Sequence, residues 1–238
     1  MCRWNCSTPN CGRAIRWKWL KSAWRKCRRT LSIEATLHSA VERWMAAGSR
    51  RPFYIGMGGG SASGKSTLAA QMAERLTPLR VEVVGQDQFF KKPDDMPQYY
   101  SQIDGQHHPA YNEPDSFKQA EMFEACGALR SADCDVVILE GILVLWFEPL
   151  RALMDLKLYV EAAADERIVR RIRRNMKKLE DCEFIANYYL ESVRWQHEQY
   201  NAPTRAHADW VIPGGMADAR EREEAVAAIC QTIARIGA

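Results

Sequence analysis

From residue 33 onward the hydrophobic positions of the chain alternate between two spacings. Short apolar runs at Phe53-Tyr54-Ile55-Gly56-Met57, Val81 to Val84, Asp135 to Glu140, Leu156 to Val160 and Trp210 to Ile212 read as strands. Between them the period lengthens. Ile33, Leu37, Val41 and Trp44 follow at spacings of four, four and three and end at Gly48, while Leu68, Met72 and Leu76 repeat every four. Further helices are predicted from Ser116 to Leu129, from about Asp165, from Glu183 to Tyr200 and from Ala217 to Ile236. The long Pro-, Asp- and Tyr-rich stretch before Ser116 reads as loop. Strands that alternate with helices predict an α/β fold with a parallel five-stranded sheet and helices on both faces.

Composition narrows the class. Across 238 residues, 47% are hydrophobic and 26% charged, which excludes general disorder, collagen and a disulfide miniprotein. No apolar run approaches the roughly 18 residues that a membrane-spanning helix requires. The formal charge of +3 is unevenly placed. Residues 1–30 hold nine Lys or Arg and no acid, which leaves 24 basic against 30 acidic groups in the rest, a balance of −6. That leader also holds Cys2, Cys6, Cys11 and Cys27, at spacings unlike the close CxxC pairs of structural zinc sites. It reads as a basic, Cys- and Trp-rich extension that is poorly ordered, with contact to nucleic acid or an anionic membrane left open. A helix is expected in 31–50 and the domain proper in 51–238, with an Arg-rich lid at about 165–182. Cys126, Cys134, Cys182 and Cys230 are scattered without a repeated spacing, which points to a reducing cytoplasm.

The first strand runs directly into Gly58-Gly59-Gly60-Ser61-Ala62-Ser63-Gly64-Lys65-Ser66-Thr67, and a helix follows. Gly59-x4-Gly64-Lys65-Ser66 is the spacing of a phosphate-binding loop, set where its mechanism needs it, between strand and helix. The glycines let backbone N–H groups converge on phosphate oxygens, Lys65 neutralises the outer phosphates, and the Ser66 hydroxyl reaches Mg²⁺. This is a nucleoside-triphosphate site, and ATP with Mg²⁺ is the expected pair; GTP is left open. Gly59, Gly60, Ser61, Ala62, Ser63, Gly64, Lys65, Ser66 and Thr67 are its expected nucleotide-binding residues.

The acceptor side sets the reaction class. Asp87 stands at the C-terminal end of the second strand, the edge where open parallel sheets bind ligands, so its carboxylate is placed to accept the proton of an attacking hydroxyl. The plainer reading is a turn-capping Asp. Glu140 closes a buried strand at the same edge, an expensive position for a carboxylate without a partner such as Mg²⁺. Arg167, Arg170, Arg171 and Arg174 recur at intervals of three, one and three along one side of a helix whose other side carries Val169, Ile172, Met176 and Leu179. Such a stripe is commonly a solvated face. Beside a phosphate loop it gains the alternative of closing over a triphosphate, neutralising transition-state charge and excluding water. His107-His108 reads as solvated loop, and Trp195 and His197 as helix-packing residues.

Taken together, Gly60 to Thr67, Gln86-Asp87-Gln88-Phe89-Phe90, Glu140-Gly141-Ile142-Leu143, the Arg167 to Arg174 stripe and His197-Glu198-Gln199-Tyr200-x2-Pro203-Thr204-Arg205-x2-Ala208-Asp209-Trp210-Val211-Ile212-Pro213 resemble the uridine kinase and phosphoribulokinase superfamily. The likeness spans about residues 53 to 237 and is closest to uridine kinases. It implies a P-loop, nucleoside-monophosphate-kinase-like core, Asp87 as base, the Arg helix as lid, and the Ile212-Pro213-Gly214 turn beside adenine. Lys65, Arg167, Arg171 and Arg174 would join Asp87 in catalysis, Arg170 would bind nucleotide, Ser66 and Glu140 the metal, and Asp87, Phe90, Tyr111 and Asn112 the substrate. The departures lie on the acceptor side. Uridine kinases carry an Asp where Tyr111-Asn112-Glu113 has Asn112, and a Tyr- and His-bearing hairpin where only Arg130 to Cys134 stands here. Their Arg-Gly-Arg-Asp becomes Lys178-Leu179-Glu180-Asp181, and Tyr188 aligns with their Gln. Phe89-Phe90-Lys91-Lys92-Pro93 is similar to nicotinamide riboside kinases, which also lack that hairpin.

The expected activity is phosphoryl transfer from ATP to a hydroxyl of a small metabolite, a nucleoside or related sugar. Nicotinamide-riboside-like, pentose-phosphate or glycerate phosphorylation and a non-catalytic ATP-binding regulator are the alternatives. Uridine and cytidine are expected to be poor acceptors, and Lys91, Lys92, His107, His108 and the loop tyrosines suit an anionic or aromatic compound. The expected partners are the alcohol itself and a second copy of the chain. Because the strand and helix pattern starts after the leader, deletion of residues 1–30 should leave both the melting temperature and phosphotransfer unchanged. A large drop in melting temperature on truncation would contradict this reading.

Overall fold

The computed structural model describes residues 33–48 and 51–235. The basic extension and the expectations attached to it lie outside the described residues. Helix α1 (33–46) turns Ile33, Leu37, Ala40 and Trp44 inward, the face that its spacing predicts. Trp44 meets Phe53 edge-on at 6.1 Å between ring centroids, and its indole N–H donates to the Arg51 carbonyl at 3.1 Å. The N-terminal helix is thereby fixed to the start of the sheet.

The main sheet has five parallel strands in the order β2-β5-β1-β6-β7: β1 (Phe53–Gly59), β2 (Val81–Gly85), β5 (Val136–Glu140), β6 (Leu156–Glu161) and β7 (Trp210–Pro213). All five predicted strands are present, each within two residues of its predicted bounds. β1 is the central strand and is buried along its whole length, as a strand covered on both faces must be. Alternation along β1 divides the core. Phe53, Ile55 and Met57 face a layer with Leu68 and Met72 of α2 (Lys65–Arg75), Val226, Ile229 and Ile233 of α8 (Ala219–Ala234), and α1. Tyr54 faces the other layer, which contains Met122 and Cys126 of α3 (Gln119–Ala128) and the apolar stretch Ile142 to Phe147 leading into α4 (Glu148–Arg151).

Three features depart from the sequence-based picture. The stretch before Ser116 holds an antiparallel hairpin, β3 (Gln98–Tyr100) with β4 (His107–Pro109), in which Tyr99 pairs with His108 and Tyr100 with His107. The basic helix α5 (Ala164–Asn175) is turned opposite to the usual amphipathic sense. Arg167 is 5% exposed and Arg170 and Arg171 are half-buried, whereas Val169 is 47% exposed and Arg174 is exposed; Met176 and Leu179 of the expected apolar side lie beyond the end of the helix. The arginines face the phosphate loop, which offers carbonyls and hydroxyls rather than an apolar partner. Finally, the predicted helix from Glu183 to Tyr200 is α6 (Glu180–Tyr188) followed by two wide π-type stretches, Tyr189–Val193 and His197–Asn201, around the short α7 (Arg194–Gln196). No described helix is long and apolar enough to cross a membrane.

One ion pair sets the entry to the sheet. Both Arg51 guanidinium nitrogens Nη1 and Nη2 donate to Asp155 at 2.7 Å, and the same carboxylate accepts the Tyr54 N–H at 2.9 Å. The pair is largely buried and ties the start of β1 to the turn before β6. Asp155→Ala strands the Arg51 charge and the Tyr54 N–H together, so it is expected to cost about 2–4 kcal/mol of unfolding free energy. Denaturant titration measures this directly; a loss below about 0.5 kcal/mol, the level of an exposed pair, would refute it.

Candidate active site

The site begins where β1 turns into α2. Gly59 has φ of 145°, and a side chain there would meet the Val160 carbonyl at 2.5 Å, so only glycine lets the chain turn out of the strand this close to β6. Gly60 has a different requirement. A Cβ on it would lie 2.6 Å from Arg167 Nη1 and 3.0 Å from His197 Cε1, so its bareness lets the lid helix and the following helix close on the loop. Gly64, with φ of 101°, opens α2, whose first residues are Lys65, Ser66 and Thr67. Ser66 and Thr67 are exposed at that helix start.

Lys65 is buried and its Nζ lies 4.0 Å from Glu140 Oε2. Burial lowers its pKa, and the Glu140 and Asp87 carboxylates pull the other way. Register explains why these three groups meet. Gly85 of β2 pairs with Glu140 of β5, and Met57 of β1 pairs with Glu140 from the other side. The ends of three adjacent strands thus bring Asp87, Glu140 and the phosphate loop to one edge. Asp87 lies in a 3₁₀ turn, Gln86–Phe89, held from beneath because the buried Gln86 Oε1 accepts the Leu143 N–H at 2.8 Å.

On the lid helix the four arginines separate by partner. Arg167 Nε donates to the Ala162 carbonyl at 3.2 Å, with its guanidinium against Gly60. Arg171 reaches Ser61 Oγ at 3.4 Å and lies 5.0 Å from the centroid of the Tyr188 ring; burial is the main cause of its lowered pKa. Arg174 is exposed, and its charge is felt at both Lys65 and Arg171. Arg170 is committed to protein atoms. It donates to the Ser63 carbonyl at 3.3 Å, the Gly214 carbonyl at 2.8 Å and Glu166 at 3.0 Å, so it ties the phosphate loop to the end of β7.

The acceptor side is aromatic. Phe90 stacks on Phe117 at 4.5 Å and meets Tyr111 edge-on at 5.5 Å, while the Tyr111 N–H donates to the Tyr188 hydroxyl at 3.4 Å. Tyr188 in turn packs against Tyr99 of the hairpin at 5.7 Å. The hairpin turn is held by Glu191, which accepts from Ser101 Oγ at 2.6 Å and the Gln102 N–H at 2.7 Å. His108 is paired with Asp104 at 2.7 Å. Thus Phe90, Tyr111 and Asn112 converge with a residue that the sequence offers only as an alignment position, Tyr188.

The chain is similar to known proteins. A profile described as the phosphoribulokinase / uridine kinase family matches residues 116–219. A uridine kinase of Lactobacillus helveticus is 31% identical over 185 residues, covering 69% of this chain and 88% of that protein. A uridine kinase of Limosilactobacillus reuteri is 33% identical over 186 residues, covering 70% and 85%. The chain belongs to the phosphoribulokinase/uridine kinase family. It is an ATP-dependent kinase. Among solved structures, a provisionally assigned fructose transport system kinase from Silicibacter sp. TM1040 superposes with a TM-score of 0.54 at 19% identity, over 76% of this chain and 98% of that one, which supports the fold.

Within this family member several buried polar atoms lack a hydrogen-bond partner: Ser63 Oγ, Glu140 Oε2, Arg171 Nε and His197 Nδ1 around the phosphate loop, and Asn112 Nδ2 and Gln196 Oε1 toward the acceptor loop. Folded proteins rarely leave such atoms unpaired, and their concentration here fits polar ligands such as phosphate oxygens, a hydrated cation and hydroxyls. No group of three or more His, Cys, Asp or Glu able to hold a metal occurs among the described residues. Mg²⁺ needs no such cage, since it keeps waters and takes one or two protein ligands beside substrate phosphates.

His197, which the sequence reading gives as a helix-packing residue, packs at the edge of the phosphate loop. It lies against Gly60, and burial followed by the Arg167 charge drives its pKa down to about 4. The folded protein therefore keeps a neutral imidazole where the unfolded chain protonates it below its ordinary value near 6.5. Stability should be lost as pH falls from about 6.5 to 4, by up to roughly 3 kcal/mol from this group alone. His197→Asn should remove that part of the pH dependence, read as unfolding free energy at pH 7, 6, 5 and 4. Parallel profiles for variant and parent would show the depressed pKa to be wrong.

Proposed function

We propose that this kinase transfers the γ-phosphate of ATP to a hydroxyl of a nucleoside or related sugar, with Asp87 as general base. The observation that carries the reading is the meeting of Asp87, Glu140 and buried Lys65 at the ends of three adjacent strands. Lys65, with the loop N–H groups from Gly60 to Thr67, would hold the outer phosphates of ATP in line with the acceptor. Asp87 stands on the acceptor side of that line, after the strand and before the Phe90 and Tyr111 rings, and would take the hydroxyl proton as its oxygen attacks phosphorus. Arg167, Arg171 and Arg174 would neutralise charge on the transferring group. The orientation of Arg167 and Arg171 toward the loop supports this, and closing α5 over the loop would keep water from replacing the acceptor. Arg170, already bonded to loop carbonyls, would act on nucleotide by holding the loop in shape. A magnesium ion held by the Ser66 hydroxyl and by Glu140, directly or through water, would supply charge neutralisation at the β- and γ-phosphates.

Phe90, Tyr111 and Asn112 would position the acceptor. Among described residues only a 3₁₀ turn, Leu129–Ser131, fills the space between α3 and β5, so the hairpin that uridine kinases place there is lacking. Pyrimidine nucleosides should accordingly be inferior acceptors, whereas the phosphate-handling parts serve any alcohol brought to Asp87.

Asp87→Asn keeps the size of the side chain and removes the base, so ATP affinity should stay within about twofold while transfer falls by about 10² to 10⁴. Lys65→Ala should instead abolish productive ATP binding, because it removes the charge held against the phosphates. ADP release and ATP titration on the two variants separate these effects. Undiminished turnover in Lys65→Ala would end the kinase reading of this loop, and undiminished transfer in Asp87→Asn would end its role as base.

A further inference from the structure

The hairpin of β3 and β4 and helix α6 enclose a cavity of about 250 Å³ that phosphotransfer does not use. Tyr99, Phe184 and Tyr188 form its aromatic walls, and Asp104, Glu183 and Glu191 are its acidic groups. It shares Tyr188 with the acceptor side, but Asp87, Phe90, Tyr111 and Asn112 do not line it. Its rim is apolar and exposed, with Ile103 at 56% and Phe184 at 58%. A volume below the roughly 300–1,000 Å³ of metabolite pockets suits one long side chain better than a whole nucleoside.

The lining calls for a cation. No Lys or Arg belongs to it, since Arg171, 5.0 Å from the centroid of the Tyr188 ring, stands outside the lining. His108, the one lining group able to become cationic, is bound to Asp104 at 2.7 Å. Glu191 is spent on the hairpin turn, where it accepts from Ser101 Oγ and from the Gln102 and Ile103 N–H groups. Glu183 is different: it is exposed and has no hydrogen-bond or ion-pair partner among the described residues. The Tyr99 hydroxyl reports the same field. Burial raises its pKa to about 12, Tyr188, Glu191 and Asp104 add to the rise, and no cation offsets them. Aromatic faces beside an unpaired carboxylate suit a guanidinium or ammonium carried on an apolar stem.

The chain itself carries the matching group. Residues 1–30 hold nine Lys or Arg and no acid, against a balance of −6 in the rest. Two stretches of that leader set indoles beside cations, Arg16-Trp17-Lys18-Trp19 and Trp24-Arg25-Lys26. Such a stretch offers a cation to the cavity and an indole to the rim of Ile103 and Phe184. Length permits it. The 16 residues from Trp17 to Ile33 span up to about 53 Å when extended, against a diameter of about 42 Å for a domain of this size. We propose that the basic leader docks on its own domain at this cavity, seating a Lys or Arg side chain against Tyr99 and Phe184 with Glu183 as counter-ion. The seat lies apart from the groups that handle phosphate, so a chain without the leader keeps its phosphotransfer.

The test is carbodiimide coupling of the full chain at low salt, which joins a lysine amine to a carboxylate where the two touch, read by mass spectrometry of the cross-linked peptides. Glu183 should be joined to Lys18, Lys21 or Lys26 about tenfold more often than Glu74 and Glu124, which are equally exposed carboxylates on α2 and α3. Phe184→Ala removes an aromatic wall at an exposed position, so the fold survives while the Glu183 cross-link should fall by about fivefold or more. Equal yields at Glu183, Glu74 and Glu124 would show diffuse attraction between a basic leader and an acidic body, and would overturn the docking. A Glu183 cross-link that is absent, or that Phe184→Ala leaves unchanged, would do the same. Cross-links confined to covalent dimers would also overturn it, because the seat would then belong to the leader of another copy.

Discussion

A lysine ammonium buried at the end of a parallel sheet is the constraint around which this molecule is arranged. Lys65 has lost nearly all contact with water, and its nearest carboxylate stands 4.0 Å away, beyond hydrogen-bond reach. An ammonium so placed is under-compensated, as its lowered pKa shows. The sheet supplies what compensation there is through register, since Glu140 lies level with Gly85 and Met57 on the neighbouring strands and Asp87 follows two residues after Gly85. The remaining deficit is what phosphate oxygens are suited to fill. The same argument covers Glu140 Oε2 and Ser63 Oγ, which are buried without a hydrogen-bond partner.

The lid obeys the same logic in a form that inverts an ordinary rule. An amphipathic helix normally buries its apolar side, yet α5 turns Arg167 inward and leaves Val169 exposed. Polar backbone explains the inversion. The phosphate loop presents the Ala62 and Ser63 carbonyls and the Ser61 hydroxyl toward the helix, and Gly214 adds another carbonyl, so guanidinium groups find partners there and isobutyl groups would not. Division of labour among the arginines follows. Arg170 is engaged with loop and turn carbonyls and with Glu166, whereas Arg171 lies between Ser61 and the Tyr188 ring with a buried Nε left over.

How much of this was legible in the sequence depended on how local the signal was. The five strands and the phosphate loop announced themselves because each is a short run with its own period or spacing, and Asp87 and Glu140 could be placed because strand ends fix the edge of a parallel sheet. The hairpin was missed for the complementary reason. Its strands are three residues each, they carry Tyr and His on both sides, and they are held by Glu191 from a distant helix. The orientation of α5 was illegible because its partner is a loop some hundred positions earlier, 107 residues in the case of Arg170 and Ser63. The Glu113 and Gln196 pair, 83 residues apart, leaves no pattern at all in either segment.

The helix that follows the lid joins these separate features. Its two π-type stretches shift the facing of successive residues relative to a regular helix, and such insertions tend to mark functional positions. Glu191 in the first stretch grips the hairpin turn, Gln196 reaches the acceptor loop, and His197 in the second lies on Gly60. Asn201 then anchors the end, accepting from the Tyr159 hydroxyl at 2.8 Å and donating to the Ile142 carbonyl. A single helix is thus tied to the hairpin, the acceptor loop, the phosphate loop, β6 and the segment after Glu140. Movement of any one of these would be felt along the same backbone. Because the helix is also continuous with Tyr188, on which Arg171 rests, the position of the lid arginine and the shape of the acceptor side are set by one rigid element rather than by two independent ones.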